Sequence, residues 1–298
     1  MKSFFNFSVK RKLKTVHKLL KTQFSPSSII DQTTQQNRDK IIIEMSTSTK
    51  ARDKPSTTFE ADQWLNLLID EQDKPGKLFG VVLVANWPPR QSFTEPYEKI
   101  LPKLKMCFDA QDYEVNDKDL PAAYFYPKDT LHITIASFIP HHAPVVANKE
   151  EYSKACIDVM NKSFAREDWP KEAFHVEFDR AQIGSKAGIF LWNNFDGTIA
   201  KMRKIIQEEY DSHYEKDSKA LNDRSLIVPD IIHSTFLRFG SVPETDGNIV
   251  QERFIEATKD LARIFGKIGV YCTRLVIERT PYMHIPYDEE HLLTSFES

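Results

Sequence analysis

The sequence has little of what marks cofactor sites, metal sites and disulfide frameworks. Only nine of its 298 residues are glycine, and no Gly-x-Gly-x-x-Gly or Walker loop occurs, which disfavours ATP-driven ligation. The three cysteines are scattered and outside any Cys-x-x-Cys spacing, which indicates free thiols in a reducing compartment. The histidines show none of the usual zinc-ligand spacings. We therefore expect no metal and no cofactor.

Long apolar runs are also missing, and so are acidic residues near the start. No stretch approaches the roughly 18 consecutive apolar residues that a membrane span requires. Residues 1–30 carry seven lysines and arginines and no Asp or Glu, so the remaining chain has a net charge of −10 where the whole chain has −3. An acidic body is a poor nonspecific binder of long nucleic acids. A compact ligand that carries a phosphate is compatible with it.

The basic segment predicts a boundary between two parts of the chain. Residues 1–57 combine lysines, scattered apolar residues and a Ser/Thr/Gln-rich stretch, as in an organellar transit peptide or a disordered basic arm. The expected location is cytoplasmic, or mitochondrial or plastid if residues 1–44 act as a transit peptide. Residues 58–298 are expected to form one folded domain, which starts with a helix capped by Thr58.

One seven-residue pattern, Asp-x-apolar-His-x-Thr-apolar, occurs twice, at residues 129–135 and 230–236. Both copies lie in segments rich in β-branched and aromatic residues, which favour strands. Side chains two residues apart on a strand point to the same face, so the His and Thr of each copy lie together. The aspartates are interpreted as turn or strand-start residues, with a role in orienting the histidines as the alternative. The candidate site consists of four side chains, His132, Thr134, His233 and Thr235.

The elements around the two copies follow the same order. Each half of the domain is expected to contain a strand, a helix, the His strand, a helix and a strand, with the His strands at Leu131–Ile139 and Ile231–Phe239. The second half is expected to have a helix at Ile249–Phe265, capped by Asn248, and a strand at Val270–Glu278. The predicted fold class is α+β, with two pseudo-symmetric lobes around a central cleft, each a small, mostly antiparallel sheet with flanking helices.

Two histidines and two threonines in one cleft suit acid–base chemistry on a phosphate. The unperturbed pKa of His lies near neutrality, so one imidazole can take a proton from water while the other donates a proton to the leaving oxygen. The threonine hydroxyls can donate to nonbridging phosphate oxygens. Either histidine can take either role at this point. A single His-x-Thr is more often a structural feature of a strand, and the duplication is what favours a site.

The duplicated motif resembles that of the 2H phosphoesterase superfamily, defined by two His-x-(Thr/Ser)-x motifs in a two-lobed fold. The matching segments are His132-Ile-Thr-Ile and His233-Ser-Thr-Phe, and the resemblance extends from Lys77 to Tyr282. Ser234 departs from the family, which usually has an apolar residue there. The resemblance implies hydrolysis of a cyclic phosphate or of a 2′,5′ or 3′,5′ phosphodiester, on a nucleotide or an RNA end. We expect a monomer.

The resemblance also suggests two substrate contacts. Arg238 follows the second His by five residues, as in the 2′-5′ RNA ligase-like branch, and a phosphate or ribose contact competes there with an ion pair. Tyr282 follows the last strand, where family members often carry a ligand-contacting residue. The expected activity is that of a metal-independent phosphodiesterase. The alternatives are a noncatalytic nucleotide or RNA-end binding module of the same fold, and a structural protein with two coincident strand histidines.

Overall fold

The computed structural model describes residues 55–62, 65, 80–114, 120–139, 149–216, 226–270, 272–278 and 292–297, all within the unit Thr49–Ser298. Almost all of the predicted N-terminal segment lies outside these residues, and so does Tyr282. The boundary at residue 58 therefore stays a prediction. Within the described ranges no helix is long and apolar enough to cross a membrane.

Strands and helices are interspersed along the described parts of the chain. The strands are β1 (Gly80–Ala85), β2 (Ala123–Phe125), β3 (Ile133–Ile139), β4 (Phe174–Ile183), β5 (Ala187–Asn193), β6 (His233–Phe239), β7 (Lys267–Val270), β8 (Cys272–Glu278) and β9 (Leu292–Glu297). The helices are α1 (Gln91–Lys105), α2 (Ala110–Tyr113), α3 (Lys149–Ala165), α4 (Thr198–Lys216), α5 (Gly247–Thr258) and α6 (Leu261–Phe265), with a 3-10 turn at Lys128–Thr130.

The strands form two sheets, and each sheet contains one of the His strands. One sheet has four strands in the order β3-β1-β8-β9, and the other has five in the order β2-β6-β5-β4-β7. Every strand pair in both sheets is antiparallel. The predicted α+β fold, with two mostly antiparallel sheets and flanking helices, is confirmed.

The two lobes are not the two halves of the sequence, which is a correction to the expected organisation. The central strand of the four-stranded sheet, β1, pairs with β3 from its own half and with β8 from the second half. Its counterpart β5 pairs with β6 from its own half and with β4 from the first half. The halves therefore exchange their last strands. A repeat seen in the sequence defines similar units, but it does not say which units pair across a sheet.

Three local predictions differ from the structure. The expected helix at Ile249–Phe265 is broken into α5 and α6, and the side chain that caps α5 is that of Asp246, which accepts from the backbone N–H groups of Asn248 and Ile249. Residues 57–62 form no helix, so Thr58 caps none there. Most of the expected strand at Val270–Glu278 forms β8 (Cys272–Glu278), whereas Val270 ends β7, which belongs to the other sheet.

The main core lies on one face of each sheet. In the five-stranded sheet, Phe190 stacks on Phe236 with ring centroids 4.4 Å apart, and Phe93 of α1 and Phe265 of α6 pack against the same cluster. Helix α4 packs on β3 and against α3. Among the residues whose side chains the structure describes, the opposite faces of the two sheets carry two small apolar clusters, one with Val82, Val84 and Trp87 and one with Ala187, Ile189 and Leu191. These opposite faces are where the motif side chains lie.

Candidate active site

The register of β3 places the first motif on the face away from the main core. Thr134 pairs with Val84, a member of the small cluster on that face. Ile133 pairs with Ala85, which belongs to the main core. His132, one residue before β3 and two before Thr134, precedes it on the same side. Both side chains are partly exposed.

The second motif has the equivalent placement in the other sheet. His233 pairs with Leu191 and Thr235 pairs with Ile189, and both partners belong to the second small cluster. Ser234, between them, points into the main core, where it is fully buried. The alternation predicted for His and Thr is thus present on both strands.

A bulge directly after each threonine brings one further polar residue to each face. In β3 the register passes from Thr134–Val84 to Ala136–Leu83, so Ile135 is the extra residue. In β6 it passes from Thr235–Ile189 to Leu237–Gly188, so Phe236 is the extra residue. A bulge inverts the facing of the residues that follow it. The residue three positions after each threonine, Ser137 or Arg238, therefore returns to the motif face.

Arg238 has a protein carboxylate as its partner. Its Nη1 donates to Oδ2 of Asp62 at 2.6 Å, and the two side chains are 3% and 4% exposed. Tyr124 pairs with Arg238 across β2 and β6 and lies on the same face. This ion pair is the alternative that competed with a substrate contact for Arg238. A contact of Arg238 with substrate stays a prediction, and Tyr282 lies outside the described residues.

The two motif strands approach each other directly. Strands β3 and β6 have Cα atoms within 8 Å of each other. The outer edge of β3 pairs with the segment before β6, where the N–H of Ser137 donates to the carbonyl of Ile227 at 2.8 Å and the N–H of Ile227 donates back at 2.9 Å. The sheets therefore meet along the His strands, which brings the backbones of the two motif segments close to each other.

One buried arginine binds both motif segments. Arg203, on α4, donates from Nε to the carbonyl of Ile135 at 3.0 Å. Its Nη2 donates to the carbonyl of Thr134 at 3.1 Å and to that of Ile231 at 3.0 Å. The Thr134 and Ile231 oxygens thus lie against the same nitrogen atom, although they belong to different copies of the seven-residue pattern.

The hydrogen bond of His132 determines which of its nitrogens can accept a proton. Nδ1 lies 2.9 Å from the carbonyl oxygen of Thr130, which can only accept, so Nδ1 carries the hydrogen. Nε2 of the neutral ring is then the acceptor. Burial lowers the pKa of His132, and the hydrogen bond to Thr130 opposes this shift. The imidazole retains partial exposure and is neutral at neutral pH, as a general base must be.

The unusual Ser234 has a structural role. Its Oγ accepts a hydrogen bond from Nε1 of Trp192 at 3.1 Å in the buried core. An apolar residue at this position would leave that indole N–H without its acceptor. The departure from the family pattern therefore serves the core of the five-stranded sheet and leaves His233 and Thr235 on the other face.

The remaining sequence interpretations concern turns and metals. Asp129 lies in the 3-10 turn before β3, and Asp230 lies in a bend before β6. Among the described residues, no group of three or more His, Cys, Asp or Glu side chains could hold a metal ion. The four side chains of the motifs can exchange protons and donate hydrogen bonds to an anion, and they require no metal to do so.

Two residues of this region were not predicted from the sequence. Arg203 had a detectable signal, because it is a cation between Ile199 and Ile206 on the apolar stripe of the predicted helix. Ser137 had none, because regular alternation from Thr134 would turn it to the core. Only the bulge, which the sequence does not reveal, returns it to the motif face.

No protein-family model and no curated protein sequence matches the chain. Solved structures do. A conserved protein from Agrobacterium tumefaciens has a TM-score of 0.46 at 10% identity and covers 74% of this chain and 87% of its own. LigT of E. coli in complex with 3′-AMP has a TM-score of 0.38 at 14% identity, and the match covers 67% of this chain and 88% of LigT. Usb1 of Kluyveromyces marxianus has a TM-score of 0.38 at 10% identity, and the match covers 69% of this chain and 98% of Usb1. LigT and Usb1 are members of the 2H phosphoesterase superfamily.

Proposed function

We propose that the protein is a metal-independent phosphodiesterase of the 2H type, with His132 as general base and His233 as general acid. The observation that carries this assignment is the 2.9 Å hydrogen bond from Nδ1 of His132 to the Thr130 carbonyl, which leaves Nε2 as a proton acceptor. The equivalent placement of the second motif, on a strand within 8 Å of the first, supports a partner of opposite function.

The proposed reaction is an in-line hydrolysis. Nε2 of His132 takes a proton from water as the water oxygen bonds to phosphorus. The ester oxygen leaves with its electron pair and takes a proton from His233. Thr134 and Thr235 donate hydrogen bonds to the nonbridging oxygens, whose negative charge grows in the transition state. The substrate is a cyclic phosphate or a 2′,5′ or 3′,5′ phosphodiester on a nucleotide or an RNA end.

The test is hydrolysis of 2′,3′-cyclic nucleotides and of 2′,5′- and 3′,5′-linked dinucleotides, with product analysis, in the presence of EDTA. We expect turnover by the unmodified protein. His132→Ala and His233→Ala should each lower kcat by a factor on the order of 10²–10⁴. His175, an exposed strand histidine away from both motifs, provides the control, and His175→Ala should keep full activity.

Two results would contradict the proposal. Full activity in either motif variant would remove the acid–base mechanism. Binding of these nucleotides without turnover would favour the noncatalytic binding module.

A further inference from the structure

We propose that Arg203 is a positioning residue for catalysis, which holds the two His-x-Thr segments at a fixed separation by binding both main chains with one guanidinium. This inference rests on the proposed function, because it concerns the same site. Arg203 does not touch the reacting atoms in this assignment. It acts through the backbone that carries Thr134 and through the backbone that leads into His233.

The carbonyls that Arg203 binds need a partner from outside their sheet. Strand β3 is an edge strand of the four-stranded sheet. In a regular strand consecutive carbonyls point to opposite edges, whereas the bulge at Ile135 breaks this alternation, and one guanidinium binds the carbonyls of both Thr134 and Ile135. A buried carbonyl without a donor costs about 1–3 kcal/mol. Arg203 removes that cost at the buried carbonyl of Ile135, the residue next to the predicted phosphate ligand Thr134.

The third bond links this bulge to the other motif. The same Nη2 that binds Thr134 also binds the carbonyl of Ile231, two residues before His233. A movement of either segment away from the other must break one of two bonds to a single nitrogen. Since α4 also packs on β3, the helix fixes the position of the guanidinium itself.

The chemistry of the side chain fits this role. A guanidinium is a planar fork that donates in several directions from one rigid group, whereas an ammonium is a point charge. Arg203 is 8% exposed, and burial lowers its pKa to about 10, an effect that the charge of Asp230 partly offsets. It is therefore charged at neutral pH. The charge of the second aspartate of the repeated pattern thus acts on this arginine.

The experiment compares Arg203→Met and Arg203→Lys with Arg166→Met. Arg166 binds Glu208 and Glu209, so it holds the same helix α4 without contacting either motif. For each variant we would measure kcat and KM on the best substrate of the panel, the thermal midpoint, and the affinity for inorganic phosphate. A displacement of about 1 Å at reacting groups costs on the order of 10² in rate. We therefore expect Arg203→Met to lower kcat about 100-fold with KM changed far less, and we expect Arg203→Lys to recover part of kcat.

A purely structural role gives a different pattern. It lowers the thermal midpoint and the folded fraction, and it leaves kcat per folded molecule close to that of Arg166→Met. That result would overturn the inference, and so would an unchanged kcat in Arg203→Met. If Arg203→Met does not fold, Arg203→Lys decides on the same criterion, because it keeps the charge and the stem. The motif histidine variants separate the two proposals, since their full activity would contradict the proposed function itself.

Discussion

The imidazole of His132 is subject to two opposing effects. Burial disfavours its charged form, and the hydrogen bond from Nδ1 to Thr130 favours it; the net effect lowers the pKa. The carbonyl of Thr130 is held in turn by the short 3-10 turn at the start of the motif. The turn that looked like a simple strand start in the sequence therefore orients the proposed base.

This lowered pKa predicts the acidic limb of the activity profile. A general base must be neutral in the free enzyme, so kcat/KM should fall at pH values below the His132 pKa, which lies below the usual 6.5. The contribution of His132 to the free energy of unfolding also decreases as the pH falls. Below pH 6.5 the unfolded chain binds the proton first, so this group reduces stability as pH falls. A pH–rate series at constant ionic strength checks the prediction, and an acidic limb centred at or above 6.5 would contradict it.

The four motif side chains could be predicted from the sequence because a strand's two-residue period needs no tertiary information. Arg203 and Ser137 could not be assigned, because their roles depend on a bulge and on contacts between distant segments. Arg238 shows the same dependence. Five residues after a histidine is the opposite face in a regular strand, and the bulge at Phe236 is what places it on the motif face, beside Asp62.

Besides their sequence pattern, the two motifs share a β-bulge. Each follows its threonine directly, and each extra residue, Ile135 or Phe236, is fully buried. A bulge changes local twist and re-aims the side chains that follow. We infer that the apolar residue at the end of each motif anchors its bulge in the core.

A substitution at Gly188 can test the role of the second bulge. It pairs beside Phe236, and a Cβ there would lie 2.7 Å from Cζ of Phe236 and 3.0 Å from Cβ of Leu237. Because Phe236 is stacked on Phe190, it cannot move away freely. Gly188→Ala should cost about 1–3 kcal/mol of unfolding free energy, as overpacking does, and should lower kcat/KM by shifting Thr235.

The control for Gly188→Ala is Gly266→Ala. Gly266 ends α6 with φ of 57°, and no atom lies within 4 Å of its would-be Cβ, so alanine there strains the backbone away from the motifs. Urea unfolding and steady-state kinetics on both variants check the prediction. We expect both to lose stability and only Gly188→Ala to lose kcat/KM. Equal kcat/KM values in the two variants would show that the bulge does not affect activity.

The order of the helices was predicted better than their number and their ends. The break between α5 and α6 and the cap at Asp246 were missed, because the apolar periodicity continues across both. The exchange of β4 and β8 between sheets was missed for a different reason. Strand pairing is a property of the assembled sheet, and either pairing satisfies the same local pattern.

The exchanged strands predict how the molecule responds to being cut. The hairpin between β4 and β5 joins the two halves, so fragments 49–184 and 185–298 would each lack a strand that its central strand needs. Each fragment alone should show no cooperative thermal transition, and co-expressed fragments should recover a folded complex. Circular dichroism melting and size-exclusion chromatography measure this. A Gly/Ser insertion between Gly184 and Ser185 in the intact chain is the control and should fold. A fragment that melts cooperatively alone would contradict the prediction.

The position of β8 also sets an order of events during synthesis. Strand β1, buried at all six residues, leaves the ribosome early, and its neighbour β8 is translated much later. Until then one edge of a wholly apolar strand has no native partner, which is the condition under which nascent chains stick to one another. The final closure of the first sheet is therefore a late step, and chaperones that shield β-strand edges have a defined interval in which to act on this chain.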